Sequence, residues 1–168
     1  MENISSICTY VFAKNNNEEI CTLIGKRTST APTGANLYTP PMGMVEKNEN
    51  PYDAAVRECF EETGIKLPKN NLIMHDKENY NMRGKLCTGI NFYILLNGDI
   101  DDYTVGEGDG ENEKFIWLPL SKKNNIKWAF NTYNKLNEII PKLNTTNKLT
   151  ESHIKQIVRK TLRQYLQL

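Results

Sequence analysis

Residues 43–65 read GMVEKNENPYDAAVRECFEETGI, and the rest of the chain is arranged around this segment. Its centre carries three carboxylates within one helical turn: Glu58, Glu61 and Glu62. Successive residues on an α-helix are turned by about 100°, so Glu58 and Glu62 point to the same side and Glu61 lies about 60° away. Like charges at this spacing repel by roughly 0.2–0.5 kcal/mol per pair. A divalent cation would turn that repulsion into binding, since Mg²⁺ prefers carboxylate oxygens and substrate phosphates.

Both ends of the predicted helix are marked in the sequence. Asn50 is a favourable N-cap residue, and Pro51 fits the first helical position. Gly64 is typical of the left-handed residue that ends a helix. The pattern therefore predicts a helix over residues 51–63, preceded by a loop that carries a fourth carboxylate, Glu49.

Length and composition predict one ordinary domain. The chain has 168 residues, a net charge of +1 and 39% hydrophobic residues. This length suits a single domain with a full core, and so small a net charge does not favour nucleic acid or a membrane as a partner. The four cysteines lack the spacing of a zinc site. With no signal peptide and no long apolar run, we expect a cytoplasmic protein with reduced thiols.

Hydrophobic periodicity and turn residues predict an order of elements that is not a βαβ alternation. We expect strands at 4–13 and 20–27, a loop at 28–36, the helix at 51–63, strands at 72–81 and 85–96, an acidic loop at 97–113, a strand at 115–120 and a helix at 126–140 that ends at Pro141. The consecutive prolines Pro40 and Pro41 exclude a central strand just before Gly43, because proline cannot donate a ladder hydrogen bond.

The C-terminal segment predicts an amphipathic helix. Residues 149–168 carry apolar side chains at helical spacing and basic side chains on the other side. We expect the segment to pack on the domain or on a second copy of the chain; the alternative is contact with RNA or a nucleotide. We place the domain at 1–142, and a linker with the basic helix at 143–168. The LTES start resembles a short terminal motif of tailed-bacteriophage proteins, which hints at a phage source.

The fixed residues of the central segment resemble the Nudix box of the MutT-like pyrophosphohydrolases. The matching positions are Gly43, Glu49, Arg57, Glu58, Glu61, Glu62 and Gly64. Two positions depart from the family pattern. Cys59 replaces a larger aliphatic residue, and Met42 stands where the family commonly has a second glycine.

The resemblance implies an α/β (α+β) fold of the Nudix type. In that fold a mixed sheet is flanked by helices in an α/β/α sandwich, and the box helix packs against the sheet. The C-terminal helix would be an addition to this one domain.

The resemblance also implies metal-dependent hydrolysis of a diphosphate bond. The substrate would be a nucleoside diphosphate derivative, such as a nucleoside triphosphate or a dinucleoside polyphosphate. Mg²⁺ or Mn²⁺ would be bound by Glu58, Glu61, Glu62 and the backbone carbonyl of Met42. Such a cation lowers the pKa of a bound water.

The residue that removes the proton from that water stays open at this point. It is either Glu58 itself or a carboxylate of the acidic loop, Glu111 or Glu113. Arg57 is expected to orient the site by pairing with Glu49 or Glu61.

Three residues outside the box are candidates for binding substrate. Arg27 follows a predicted strand at a place where similar proteins present basic residues to phosphates; its alternative is ordinary surface charge. Tyr38 lines the approach to the box or packs in the core. Tyr80 lies near, but not on, the position that is associated with dinucleoside polyphosphates in the family.

Two other functions stay open. One is decapping-type hydrolysis of RNA 5′ ends, in which the basic tail holds the RNA. The other is a non-catalytic nucleotide-binding module that keeps the box without turnover. The resemblance also leaves open a homodimer.

Overall fold

The computed structural model describes residues 4–82, 84–107 and 110–143. The chain forms two compact units, Met1–Tyr133 and Asn134–Leu168. The first unit carries the sheet and the box helix. The predicted C-terminal helix at 149–168 lies outside the described residues.

Four strands precede the first helix, and short helices interrupt the later strands. In chain order they are β1 (Ile4–Lys14), β2 (Ile20–Arg27), β3 (Tyr38–Thr39), β4 (Met42–Met44), α1 (Pro51–Thr63), a 3₁₀ turn at Lys69–Asn71, β5 (Ile73–Met82), β6 (Lys85–Asp99), a 3₁₀ turn at Ile100–Asp102, β7 (Asn112–Pro119), a 3₁₀ helix at Leu120–Asn125 and α2 (132–143). The result is a mixed α+β fold, as expected from the sequence.

The seven strands form one mixed sheet. Its order is β3-β2-β1-β6-β5, with β4 paired to β1 and β7 paired to β2. β1 and β6 run parallel, and the other pairs are antiparallel. One edge of β1 first pairs with β4 at residues 6–8 and later with β2 at residues 12–14. The sheet therefore opens between β1 and β2 at the point where the box loop enters.

The predicted box helix is confirmed, because its ends are specified locally. The Asn50 side chain accepts a hydrogen bond from the Tyr52 N–H at 2.8 Å, and Pro51 is the first helical residue. At the other end Gly64 has φ +76°, and its N–H donates to the Phe60 carbonyl. These are the N-cap and left-handed C-cap geometries that the residues favour.

The main core lies between α1 and one face of the sheet. Helix α1 contributes the small side chains of Ala54, Ala55 and Cys59, all fully buried. The rings of Tyr52 and Phe92 lie 4.7 Å apart and join the helix to β6. Cys59 packs as a small hydrophobe. Its small side chain therefore fits the closely packed core between α1 and the sheet.

Pro40 and Pro41 lie between two short strands, β3 and β4, that the sequence did not predict. The Pro41 carbonyl still accepts a hydrogen bond from the Thr9 N–H at 2.8 Å. The two prolines therefore keep the chain beside β1 without adding ladder donors of their own.

The predicted helix at 126–140 is wrong at both ends. Residues 127–129 are extended, because Tyr38 donates its N–H to the Lys127 carbonyl and accepts from the Ala129 N–H. Phe130 has φ +54°, which a right-handed helix does not allow. Helix α2 begins only at residue 132, and Pro141 lies within it, since proline removes one hydrogen bond without preventing helical dihedrals nearby.

Two strand boundaries differ by a few residues from the prediction. β6 continues to Asp99, and β7 already begins at Asn112, so the acidic loop is shorter at both ends than predicted. Within the described part of the chain, no helix is both long and apolar enough to pass through a membrane.

Candidate functional site

Arg57 connects the carboxylates of the box. Its Nε and one terminal nitrogen donate to the two oxygens of Glu49, each at 2.9 Å. The other terminal nitrogen donates to Glu58 at 2.9 Å and to Glu61 at 3.0 Å. The Met44 carbonyl accepts a further bond at 3.0 Å. A guanidinium has five N–H donors, and all of them are used here.

Gly43 leaves room for one of these carboxylates. A Cβ atom at position 43 would lie 2.0–2.3 Å from the carboxylate atoms of Glu58. No side chain larger than hydrogen fits there unless Glu58 moves. Glycine at position 43 therefore avoids a steric clash, and its lack of a side chain lets β4 lie directly against the side chain of Glu58.

Glu62 is held separately from the Arg57 contacts. Its Oε2 accepts the Met42 N–H at 3.0 Å, and its Oε1 accepts the side-chain amide of Asn112 at 3.0 Å. Glu62 is buried. Hydrogen bonds to a carboxylate stabilise its charged form in such a place. β4 and β7 thus both hold the last carboxylate of the box.

The surroundings shift the pKa values of the box in opposite directions. The hydrogen bond from Arg57 lowers the pKa of Glu49, and the same contact raises the pKa of Arg57. Burial raises the pKa of Glu58, although Arg57 opposes this shift. The contact with Arg57 thus favours the charged form of Glu49, whereas burial favours the protonated form of Glu58.

The acidic-loop candidates Glu111 and Glu113 lie at the start of β7. Glu111 is 3.3 Å from the Arg27 guanidinium, and Glu113 is 3.2 Å from the Lys26 ammonium. Alternation along a strand places the side chain between them, Asn112, on the opposite face. The structure brings Asn112 to Glu62 and pairs each of the two glutamates with a cation of β2.

Arg27 is almost entirely buried. Its Nε donates to the Thr33 carbonyl at 2.8 Å, and its guanidinium lies 5.7 Å from the Phe130 ring centroid. These contacts hold the 28–36 loop against β2. The binding of substrate phosphate by Arg27 stays a prediction.

The two candidate tyrosines occupy opposite ends of the sheet. Tyr38 lies on β3 and pairs through its backbone with residues 127–129. Tyr80 lies on β5 and donates its hydroxyl to Ser6 Oγ of β1 at 2.8 Å. The Tyr80 ring passes Gly89, where an added Cβ would lie 3.3 Å from it. Tyr80 therefore reaches across β6 to the strand that pairs with β4.

Sequence reasoning missed Asn112 as a member of this site. An asparagine in an acidic, glycine-rich stretch looks like a loop residue, and the start of β7 was predicted three residues later. The period-2 alternation from Asn112 to Phe115 could have marked it, but only if the strand had been extended to include it.

The donor set fits a hard divalent cation. Glu58, Glu61 and Glu62 offer carboxylate oxygens, which are the ligands that Mg²⁺ and Mn²⁺ prefer. Glu61 is exposed, and Arg57 keeps both bonds to Glu49 if Glu58 or Glu61 turns towards a cation. The backbone of Met42 lies beside Glu62 through its N–H; a carbonyl ligand at this residue stays a prediction.

A model of the NUDIX domain matches residues 5–138 of the chain. The chain belongs to the NUDIX domain family. The match includes β1 to β7, the whole box and Asn112, so the site described above lies entirely inside this NUDIX domain.

Two relatives show similarity in sequence. The NUDIX chain is 35% identical over 95 residues to the asymmetrical bis(5′-nucleosyl)-tetraphosphatase of Mus musculus, which covers 55% of the chain and 62% of that enzyme. It is 45% identical over 47 residues to an m7GpppN-mRNA hydrolase of Bos taurus, which covers 28% of the chain and 16% of that protein. The chain thus spans less than two thirds of the length of either relative.

Solved structures share the NUDIX fold at low identity. The NUDIX domain of Shewanella oneidensis NrtR, solved with ADP ribose, superposes with a TM-score of 0.70 at 14% identity, covering 85% of this chain and 90% of that one. Ap4A hydrolase of C. elegans gives a TM-score of 0.58 at 21% identity, covering 86% and 98%.

Proposed function

We propose that this protein hydrolyses a diphosphate linkage in a nucleotide derivative with the help of a divalent cation. The observation that carries the proposal is the arrangement of the box. Arg57 draws Glu58 and Glu61 together, Gly43 leaves space for Glu58, and Glu62 is fixed by two N–H donors. A diphosphate carries dense negative charge, and only a cation makes so acidic a place attractive to it.

The three carboxylates of α1 would hold Mg²⁺ or Mn²⁺. The bound ion would neutralise charge on the phosphates and lower the pKa of an attacking water. Glu62 enters this arrangement already positioned, whereas Glu58 and Glu61 are shared with Arg57. Because Glu49 binds Arg57 through both oxygens, Arg57 stays in place while the other two glutamates respond to the ion.

We favour Glu58 as the base, because its carboxylate lies against β4 at Gly43 and next to the other glutamates that would hold the ion. Burial raises its pKa, and a bound cation would oppose that shift. Glu111 and Glu113 are the alternatives. Each would have to leave its ion pair with Arg27 or Lys26 to accept a proton.

A dinucleoside polyphosphate is the substrate class that we favour. The mouse tetraphosphatase is 35% identical over a stretch of 95 residues, longer than the 47 residues that match the mRNA hydrolase. Tyr80 adds support, since its hydroxyl is held by Ser6 and its ring lies on the sheet beside Gly89. An aromatic ring fixed in this way can stack a nucleobase.

RNA 5′ ends are the second candidate substrate. The 45% identity to the mRNA hydrolase spans 47 residues, and the basic tail would bind the RNA backbone through its phosphates. Binding through phosphates weakens steeply with salt, whereas hydrolysis of a small dinucleotide depends much less on it.

The test is a turnover screen of the full chain with Mg²⁺ or Mn²⁺. Diadenosine tetraphosphate, nucleoside triphosphates, ADP-ribose, nucleotide sugars and capped RNA are offered in parallel, and products are separated by chromatography. We expect turnover of the dinucleotide that is lost with chelator and in Glu62→Gln. Glu18→Gln, an exposed glutamate paired only with Lys14 in the salt bridges of the described residues, is the matched control.

Each outcome separates the proposals. Fastest turnover of capped RNA would replace the dinucleotide with the RNA candidate. Metal binding without turnover of any substrate would indicate a nucleotide-binding module. Full activity in the presence of chelator would contradict the metal-dependent reaction.

A further inference from the structure

Asn112 is the first residue of β7 and is almost completely buried. Its side-chain nitrogen donates to Glu62 Oε1 at 3.0 Å across 50 positions of sequence. An ionised carboxylate has only acceptors, so only the amide nitrogen of Asn112 can face it. The contact therefore fixes both the orientation of the amide and the position of Glu62.

The opposite oxygen of Glu62 is held by a different strand. Met42 of β4 donates its backbone N–H to Oε2 at 3.0 Å. Because the two oxygens accept hydrogen bonds from two different strands, rotation of the Glu62 carboxylate would break at least one charge-assisted hydrogen bond. A carboxylate offers about four acceptor sites, more than these two hydrogen bonds use.

β7 supplies a neutral side chain at this one place. Its neighbours Glu111 and Glu113 pair with Arg27 and Lys26 of β2. Arg27 lies opposite Asn112 in the strand register, so the whole start of β7 is fixed by β2. A carboxylate in the place of Asn112 would repel Glu62, and an apolar side chain would leave Oε1 without this donor in a buried site.

We propose that Asn112 is a positioning residue that orients Glu62 for the binding of a divalent cation. The inference rests on the proposed function for the identity of the cation site. Asn112 touches neither substrate nor reacting atoms in this proposal; it acts only through Glu62. Side chains that orient metal ligands in this way commonly change metal affinity by about 10–100-fold when they are replaced.

The experiment measures Mn²⁺ affinity without substrate, by titration calorimetry on the full chain. Asn112→Leu keeps the approximate size and removes the donor. We expect its Mn²⁺ affinity to fall by about tenfold or more. Asn91→Leu is the matched control, since Asn91 is also buried and also donates to a carboxylate, that of Asp76, at 2.9 Å. It should lose comparable stability and keep wild-type Mn²⁺ affinity.

A double-mutant cycle separates positioning from a general structural effect. If Asn112 acts through Glu62, the pair Asn112→Leu with Glu62→Gln should bind Mn²⁺ as weakly as Glu62→Gln alone. If Asn112→Leu weakens binding further in that background, or leaves it unchanged in the wild-type background, the inference is overturned. If Asn112→Leu does not fold, Asn112→Ser enters the same cycle with the same criteria.

Turnover is recorded separately in the same variants. Wild-type Mn²⁺ binding that depends on Asn112, together with no hydrolysis of any nucleotide, would remove the proposed function and leave the positioning of Glu62 intact. Hydrolysis of a nucleotide by a protein whose Mn²⁺ affinity does not depend on Asn112 would support the proposed function and remove the positioning role of Asn112.

Discussion

At position 43, the space beside the backbone is taken by the carboxylate of Glu58. Replacing Gly43 by alanine places a methyl group 2.0–2.3 Å from that carboxylate, so Glu58 has to move. We expect Gly43→Ala to lower metal-dependent turnover by at least about tenfold, because a small misplacement of a reacting group is costly. The measurement is kcat and the Mg²⁺ concentration for half-maximal rate.

Gly106→Ala is the control for this variant. A Cβ at Gly106 meets its nearest neighbour, the Thr63 carbonyl oxygen, at an ordinary 3.4 Å. It should keep wild-type turnover. Equal activity of Gly43→Ala and wild type would contradict the spatial argument.

Buried thiols give a prediction that depends on pH. Burial raises the pKa of Cys59 to about 12 and that of Cys21 to about 11. At pH 8 the reactive thiolate of Cys59 is therefore on the order of a thousandfold rarer than in an ordinary cysteine, and its fraction rises about tenfold per pH unit below that pKa. We expect iodoacetamide to label these two residues far more slowly in the native protein than in guanidinium chloride, as followed by mass spectrometry. Fast native labelling of Cys59 at pH 8 would contradict the buried position.

The individual residues of the site could be predicted where they belong to the fixed spacing of the box. The box carboxylates and Arg57 stand at positions that local spacing alone brings onto one side of a helix, and Arg57 makes both contacts that were offered as alternatives, to Glu49 and to Glu61. Asn112 was not predictable, because its contact with Glu62 depends on how β7 registers against β2.

Among the elements, α1 owes its position to its two ends. Asn50→Ala removes the side-chain acceptor for the Tyr52 N–H and should cost about 1 kcal/mol of the free energy of unfolding. The measurement is urea denaturation of the metal-free protein. Asn70→Ala, at an exposed position, is the matched control and should change stability by less than about 0.5 kcal/mol. Identical unfolding midpoints for the two variants would contradict the capping role of Asn50.

The two helices show which elements a sequence can specify. Helix α1 was predicted with its observed bounds, since capping residues act within a few positions. The helix at 126–140 was wrong because a distant strand competes for its backbone. Tyr38 takes the hydrogen bonds of residues 127–129, and apolar spacing in that segment gave no sign of this partner.

For the molecule as a whole, stability depends on the core between α1 and the sheet. Phe92 of β6 has no exposed surface, and its ring lies 4.7 Å from that of Tyr52 on α1. Phe60, also on α1, is 53% exposed. Phe92→Ala should lower the free energy of unfolding by about 3–5 kcal/mol, and Phe60→Ala by less than about 0.5 kcal/mol. Thermal and urea unfolding of both variants check this. A comparable loss in the two would show that the core is not where the structure places it.

The sequence predicted that the sheet would be mixed, but not which strands pair with one another. The sequence predicted β1, β2, β5, β6 and β7 as strands, but not the two- and three-residue strands β3 and β4. The parallel pairing of β1 with β6, which joins Ile7 to Ile90, is set only when distant segments pack over α1. The opening between β1 and β2, where β4 enters, follows from the same packing.

The sharing of one guanidinium among several acceptors also bears on how the sequence can drift. Arg57 donates at once to three carboxylates and one backbone carbonyl, those of Glu49, Glu58, Glu61 and Met44. Replacing one of the glutamates therefore changes the free energy that the remaining contacts contribute. Losing one of these contacts should therefore change the effect of losing the next, so substitutions in this group are expected to depend on one another and not to accumulate independently.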